Sequence, residues 1–333
     1  MNPTNPVLLL GGSGQAGATA AALLRRWHPT LPLTIAARDL ARAQRVADEL
    51  GTATAVTVDL HRADLGLHGG THSAVVAALW DDRLHGLRHA QRHNLPYLSI
   101  SSGLTDIAPE VVLSGQRAGA APVLVASHCF AGTLTLAALH AAREFGRIET
   151  VRLGAVLDET DTGGPAGAVD MERLAAAPDA GYVRRDGVFT WITGSDADAT
   201  VRGIDGTELP GRSLAFLDVP SIALATGAHD VRFDLAVGES ASRRRGEPAS
   251  TEVRIDIDGT SSTGESLATT HYLVHPEGQR PLTALGVALG VERLLGLRGT
   301  AAAPGIHTPE GLVDPAYAAE RLAEIGAWLT RTA

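Results

Sequence analysis

Along the first 145 residues, short apolar runs alternate with stretches whose apolar positions recur at helical spacing. The run 7–11 has strand length. Glycines follow it, and 15–27 then predicts a helix. Residues 33–37 predict a second strand, and 40–50 a helix stopped by Gly51. Further strands are expected at 53–58, 73–79, 97–100 and 123–126, with helices at 83–93, 109–119 and 134–145. Continuous apolar strands separated by helices predict parallel βαβ units, covered on both faces.

The pattern changes near Arg147. A strand is expected over 148–157, then a Gly-rich acidic stretch over 158–165 and a short helix over 169–176. Strand-like runs follow at 188–192, 213–217, 231–237 and 251–258. Asp258-Gly259 reads as a turn, after which 265–275 returns antiparallel. Residues 240–250, including Arg243-Arg244-Arg245, read as a solvated loop. Helical spacing resumes over 282–297 and 315–329. The pattern therefore predicts an α/β protein. An N-terminal Rossmann doubly wound parallel sheet is joined to a second α+β domain with a mostly antiparallel sheet. The expected boundaries are 1–130 for a dinucleotide-binding domain, completed by C-terminal helices over 299–333, and 131–298 for a substrate and dimerisation domain. A length of 333 residues agrees with two cores.

Composition narrows the function. Net charge is −9, from 37 acidic and 28 basic residues, which disfavours non-specific nucleic-acid binding. No apolar run approaches a membrane span. The single cysteine, Cys129, excludes an intrachain disulfide and a cysteine-based zinc site. The opening residues 1–6 lack the basic region of a signal peptide, so a cytoplasmic location is expected. The 13 histidines are scattered and His68/His72 lies beside glycines, so no metal is expected. All 28 basic residues are arginine. A lysine Schiff base or lysine acid is thus impossible, and any proton donor must be His, Asp, Glu, Tyr, Cys or water.

Gly12-Ser13-Gly14-Gln15-Ala16-Gly17 is a GxGxxG between an apolar strand and a helix, the context that a dinucleotide-binding loop needs. Gly12 is expected at the tight turn, Gly14 where a pyrophosphate approaches, and Gly17 where helix and strand pack closely. The helix start adds free N–H groups and a positive dipole end. The second strand ends Ala37-Arg38-Asp39. Arg38 suits a 2′-phosphate, which favours NADP over NAD. Asp39 is open to two roles, helix cap or ribose acid, and Arg42 is either a second phosphate contact or a surface arginine. Asp59 ends the third strand beside the expected adenine. Leu79, Trp80 and Ser101 follow the fourth and fifth strands, facing the nicotinamide half.

For the chemistry, His128 follows the sixth strand directly, pointing toward a domain cleft. It is either a proton donor or a structural histidine at the next helix. Asp81 is a candidate for a substrate amine, with Asp82 as helix cap, and Tyr272 a candidate in the antiparallel segment. Cys129 reads as a small buried residue. The acidic loop 158–161 is either a cation-recognition loop or a solvated one, and Arg184-Arg185 a carboxylate clamp or surface charge.

These motifs resemble the saccharopine dehydrogenase / saccharopine reductase-like family of NAD(P)-binding oxidoreductases. Val7 to Gly17 resembles its opening strand and loop. Ala37-Arg38-Asp39 with Ala41-Arg42-Ala43 is similar to its second βα unit, and Pro96-Tyr97-Leu98-Ser99-Ile100-Ser101 to its fifth strand. Pro304-Gly305-Ile306-His307-Thr308-Pro309-Glu310 and Asp314-Pro315 resemble its closing segment. Two departures stand out. Ser99 occupies the position of the family's aspartate, and its acid–base lysine has no counterpart. The resemblance implies an NADP(H)-dependent oxidoreductase, forming a homodimer, that reduces a C=N or C=O bond of a small amino-acid-derived or secondary-metabolite substrate. The departures keep a second role open, a non-catalytic NADP-binding sensor or assembly protein.

Overall fold

The computed structural model describes residues 4–332 except 68, 102, 105, 162 and 177–179, so His68 and Ser102 lie outside the described residues. In chain order the elements begin with β1 (Val7–Leu10), α1 (Gln15–Trp27), β2 (Leu33–Ala37), α2 (Leu40–Leu50) and β3 (Ala53–Thr57). Next come β4 (Ala74–Ala77), α3 (His85–Arg92), β5 (Tyr97–Ser99), α4 (Ile107–Gln116) and β6 (Pro122–Val125). The middle holds α5 (Thr133–Ala141), β7 (Phe145–Asp158), α6 (Gly164–Ala176), β8 (Ala180–Arg185), β9 (Val188–Thr193), β10 (Asp198–Arg202), β11 (Glu208–Ser213) and α7 (Asp218–Thr226). It continues with β12 (Asp230–Gly238), α8 (Ala241–Arg244), β13 (Thr251–Ser261) and β14 (Ser266–His275). The chain closes with α9 (Arg280–Leu295), β15 (Gly305–His307), α10 (Pro309–Leu312), α11 (Pro315–Glu324) and β16 (Trp328–Arg331). Among the described residues no helix is long and apolar enough to cross a membrane.

Two compact units result. The first comprises Met1–Ser127, Gly163–Asp170 and Thr283–Val313. Its sheet has the order β15-β6-β5-β4-β1-β2-β3, all parallel, which is the doubly wound Rossmann order extended by β15. β1 and β4 are buried along their whole length, as unbroken apolar strands covered on both faces must be. A side chain at Gly290 of α9 would come within 2.5 Å of Leu98 and 2.7 Å of Leu124, so this glycine lets the helix lie close on the sheet.

The second unit comprises His128–Thr162, Met171–Leu282 and Asp314–Ala333. Its nine-stranded sheet runs β10-β11-β12-β7-β13-β14-β16, with β8 on β12 and β9 on β8. Among the described residues, β12 and β7 pair in parallel and the other ladders are antiparallel. α5 packs against α7 and α11, and α7 lies on β12.

Several expectations are corrected. Gly259 is no turn; it sits within β13 at a register shift against β7, where a side chain would run into the carbonyl of Arg147. The chain reverses after Ser261, whose N–H donates to the carbonyl of Glu265 across Gly264 at φ +84°. The strand expected at 213–217 ends at Ser213 and lies over Glu208–Ser213 instead, because Pro210 and Gly211 disguise a strand that pairs with β10 and, at its end, with β12. The last helix stops at Glu324, and Gly326, at φ +85°, turns the chain into β16, which pairs with β14. Residues 314–333 therefore belong with the second sheet, while 299–313 stay with the first. The stretch 240–250 is not simply solvated: Ser240, Ala241 and Ser242 are buried, and Arg243 reaches Asp158 and Glu159.

Candidate functional site

Two groupings of polar and backbone groups stand out, one in each unit. In the first, the strand order places the C-terminal ends of β5, β4, β1 and β2 side by side on one edge. The loop after β1 is shaped by its glycines. The left-handed turn lies at Gly11 (φ +78°), one residue before the Gly12 expected there, and Leu79 packs against it. Gly12 fits beneath Leu9 and Ile35, where a side chain would come 2.8 Å from the Leu9 carbonyl oxygen. A side chain on Gly17 would collide with the Gly11 carbonyl and lie 3.0 Å from the Gly12 Cα. At Gly14, by contrast, a side chain would meet only the Gly11 carbonyl oxygen at 3.1 Å and would otherwise fill the open side of the loop.

Gly14 is the N-cap of α1; no side chain caps it and no acid stands in the first turn. The first intrahelical bond from the start is Ala18 N–H to Gly14 O, at 2.9 Å. Helix geometry leaves the N–H groups of Gln15, Ala16 and Gly17 for an external acceptor, and the helix dipole favours an anion there. Ser13 and Ala16 are half-buried, and Gln15 is exposed. Two bare glycine surfaces and uncapped N–H groups at the carboxyl edge of a parallel sheet fit a pyrophosphate.

Arg38 stands exposed just after β2, and Arg42 is exposed one turn into α2. Asp39 takes the first of its two roles: its carboxylate accepts the Arg42 N–H at 3.1 Å and caps α2. Asp59 is exposed beyond the edge strand β3 and accepts the His61 N–H. Trp80 is 38% exposed and Ser101 half-buried.

Asp81, rather than Asp82, serves α3. Its two carboxylate oxygens accept the N–H groups of His85 (3.0 Å) and Gly86 (2.6 Å), and burial pushes its carboxyl upward. That engagement makes it a structural cap and not an open site for a substrate amine. Where the resembled family has aspartate, Ser99 donates its hydroxyl to Glu110, a carboxylate from the first turn of α4 that is only 1% exposed. Ser99 is thus paired with a carboxylate from a different element, which no reading of β5 alone reveals.

In the second unit, His128 is buried, and its Nε2 lies 2.8 Å from the Ser221 hydroxyl of α7. Asp218, wholly buried at the start of α7, accepts the Cys129 N–H and the Thr135 hydroxyl, each at 2.7 Å. Burial pushes the Asp218 carboxyl up, against the pull of His128. Cys129 is buried, and burial together with Asp218 raises its thiol, which agrees with an inert thiol. Neither Ser221 nor Asp218 was foreseen from the sequence.

Tyr272 is buried in β14, with the Arg254 guanidinium 6.0 Å from its ring centre. Its neighbour His271 points to the opposite face, toward Glu144. Asp158 of the acidic stretch is a structural acid: it accepts the N–H groups of Thr160 and Ser240 and pairs with Arg243. Arg184 donates to the Ala223 carbonyl, and its guanidinium lies 5.5 Å from the centre of the Phe189 ring. Among the described residues no three His, Cys, Asp or Glu side chains converge as a metal site.

No protein-family model matches this sequence, and no curated protein shows significant similarity to it. A solved structure shares its fold, and others match more distantly. A histidine-tagged apo saccharopine dehydrogenase (L-Glu forming) from Saccharomyces cerevisiae matches with a TM-score of 0.65 at 13% identity, over 98% of this chain and 99% of that one. A myo-inositol dehydrogenase from Corynebacterium glutamicum gives 0.45 at 16% identity, over 99% and 100% of the two chains. An oxidoreductase from Agrobacterium radiobacter, solved with NAD+, L-tartaric acid and magnesium, gives 0.47 at 13% identity, over 90% and 91%. The chain therefore has a saccharopine dehydrogenase-like fold, as its motifs imply.

Proposed function

We propose that this protein is an NADP(H)-dependent oxidoreductase that reduces a C=N, or C=O, bond of a small amino-acid-derived or secondary-metabolite substrate. One observation carries the reading: the loop from Gly11 to Gly17 combines two glycine positions that no side chain can enter with an uncapped helix start. In this reading the N–H groups of Gln15, Ala16 and Gly17 hold the pyrophosphate. Arg38, with Arg42 behind it, meets the 2′-phosphate, and Leu79 shapes the loop from the next strand. When bound, the cofactor supplies a hydride.

The chain's own task is to deliver a proton to the nitrogen or oxygen of the reduced bond. Without lysine, we assign that task to His128, which is in hydrogen-bond contact with the buried Ser221 hydroxyl beside the buried Asp218 carboxylate. A homodimer in the cytoplasm belongs to the same reading. Titration with NADPH and NADH tests it. NADPH should bind in the micromolar range and NADH more weakly; failure of both to bind below millimolar concentration would refute it.

A second reading has its own support. Asp81 is engaged in capping, Tyr272 in packing, and His128 with Ser221. A protein that holds NADP without turnover predicts the same binding but no oxidation of NADPH with any imine or ketone.

A further inference from the structure

The connection from β6 to α5 has an uncommon backbone. Phe130 (φ 52°, ψ 43°) and Ala131 (φ 53°, ψ 35°) are left-handed, followed by Gly132 at φ 87°. Residues with side chains avoid this region, and two in succession need a surrounding structure that over-determines them. All four residues from Cys129 to Gly132 are buried. The turn is held at both ends. Ala131 N–H donates to the His128 carbonyl at 3.1 Å, and Cys129 N–H donates to Asp218. Asp218 also ties Thr135, in the first turn of α5, to the same carboxylate.

Asp218 opens α7, and Ser221 follows three residues later, on the same face of that helix. One helix face therefore grips the strained turn with a carboxylate and touches the His128 ring with a hydroxyl. Both groups lie away from bulk solvent, since Asp218 is 0% and Ser221 7% exposed.

We infer that Ser221 and Asp218 are the positioning residues of His128: Ser221 fixes the orientation and tautomer of the imidazole through Nε2, and Asp218 fixes the turn that carries it. The inference rests on the proposed function for the role of His128, but the arrangement itself is a property of this unit. The Ser221 hydroxyl can donate to Nε2 or accept from an Nε2–H, and whichever it does ties one tautomer of the neutral ring to this contact. Asp218 acts through the backbone: it accepts the Cys129 N–H next to His128 and the Thr135 hydroxyl of α5, so one carboxylate ties both flanks of the turn. Cys129, with its raised thiol, adds no charge of its own.

The test is NMR of protein labelled with 15N-histidine, with the His128 resonances assigned by their loss in His128→Gln. In the wild type, His128 should show one dominant neutral tautomer. Ser221→Ala should give a mixture of the two, and Ser221→Thr, which keeps a hydroxyl, should restore the wild-type signature. Asp218→Asn, which weakens the tie on the turn, should move the His128 ring resonances from their wild-type positions. A Ser221→Ala protein with the wild-type tautomer ratio and titration overturns the inference, whether or not Asp218→Asn folds. NADPH titration of the same samples separates the two ideas. Absence of NADPH binding to the wild type would sink the functional reading, while the tautomer result would still decide the positioning role.

Discussion

Gly17 of α1 lies against the backbone of Gly11, so closely that a methyl group on Gly17 would strike the Gly11 carbonyl and sit 3.0 Å from the Gly12 Cα. Helix start and strand end are thereby locked at backbone contact, which sets the line along which the α1 N–H groups point. Gly17→Ala should push α1 away from the turn. Overpacking of this kind costs about 1–3 kcal/mol. We expect a lowered Tm and weaker NADPH binding, because the N–H groups at the start of α1 shift with the helix. Thermal unfolding and calorimetric titration check both parts.

Arg38 separates the two cofactors. It is exposed, so its replacement should leave the fold intact. Arg38→Ala should weaken NADPH binding by about tenfold or more, the scale of a charge-assisted hydrogen bond, and leave NADH unchanged. Equal weakening of both would assign the adenosine end to another residue.

Ser99 and Glu110 are a buried pair that should answer asymmetrically. Ser99→Ala strips a donor from a carboxylate that is 1% exposed, and should destabilise the protein by about 1–3 kcal/mol. Replacing both partners, as Ser99→Ala with Glu110→Gln, should cost less than the sum of the single changes. Urea unfolding of the three variants gives the coupling directly.

A histidine cluster sets an acid-side dependence of stability. The His89 ring lies 4.6 Å from that of His93, tilted by 47°, and 6.2 Å from that of His72. Burial first, then His93 and His72, pushes His89 down to about 4. The unfolded chain, with an ordinary histidine, binds a proton near pH 6.5, above the folded value. Stability from this group is therefore full above about pH 6.5 and is lost as pH falls toward about 4. His89→Leu should flatten that window in pH-dependent denaturant melts; an unchanged slope would assign the loss to other groups.

The first unit was largely legible. The switch from an apolar run to helical spacing across Gly11–Gly17 is a local signal, and the alternation that follows repeats it. Details of one residue were not: the turn falls at Gly11 instead of Gly12, and the cap of α3 at Asp81 instead of Asp82. Local pattern does not resolve register at that scale. The second unit was legible in class only. Ser221 meets His128 across 93 residues, from a helix whose first turn contains Pro220 and shows little periodicity. Gly259 resembles a turn because a bulge and a turn both call for glycine; only the approach of Arg147 tells them apart. β16 was hidden inside a helical pattern because four residues paired to β14 carry too little signal of their own.

The most direct test is a crystal structure of the protein with NADP bound. The account predicts the pyrophosphate within hydrogen-bond distance of the Gln15, Ala16 and Gly17 N–H groups, with the 2′-phosphate at Arg38. A cofactor bound away from this loop, or a soaked crystal with none at the loop at millimolar NADP, would contradict it.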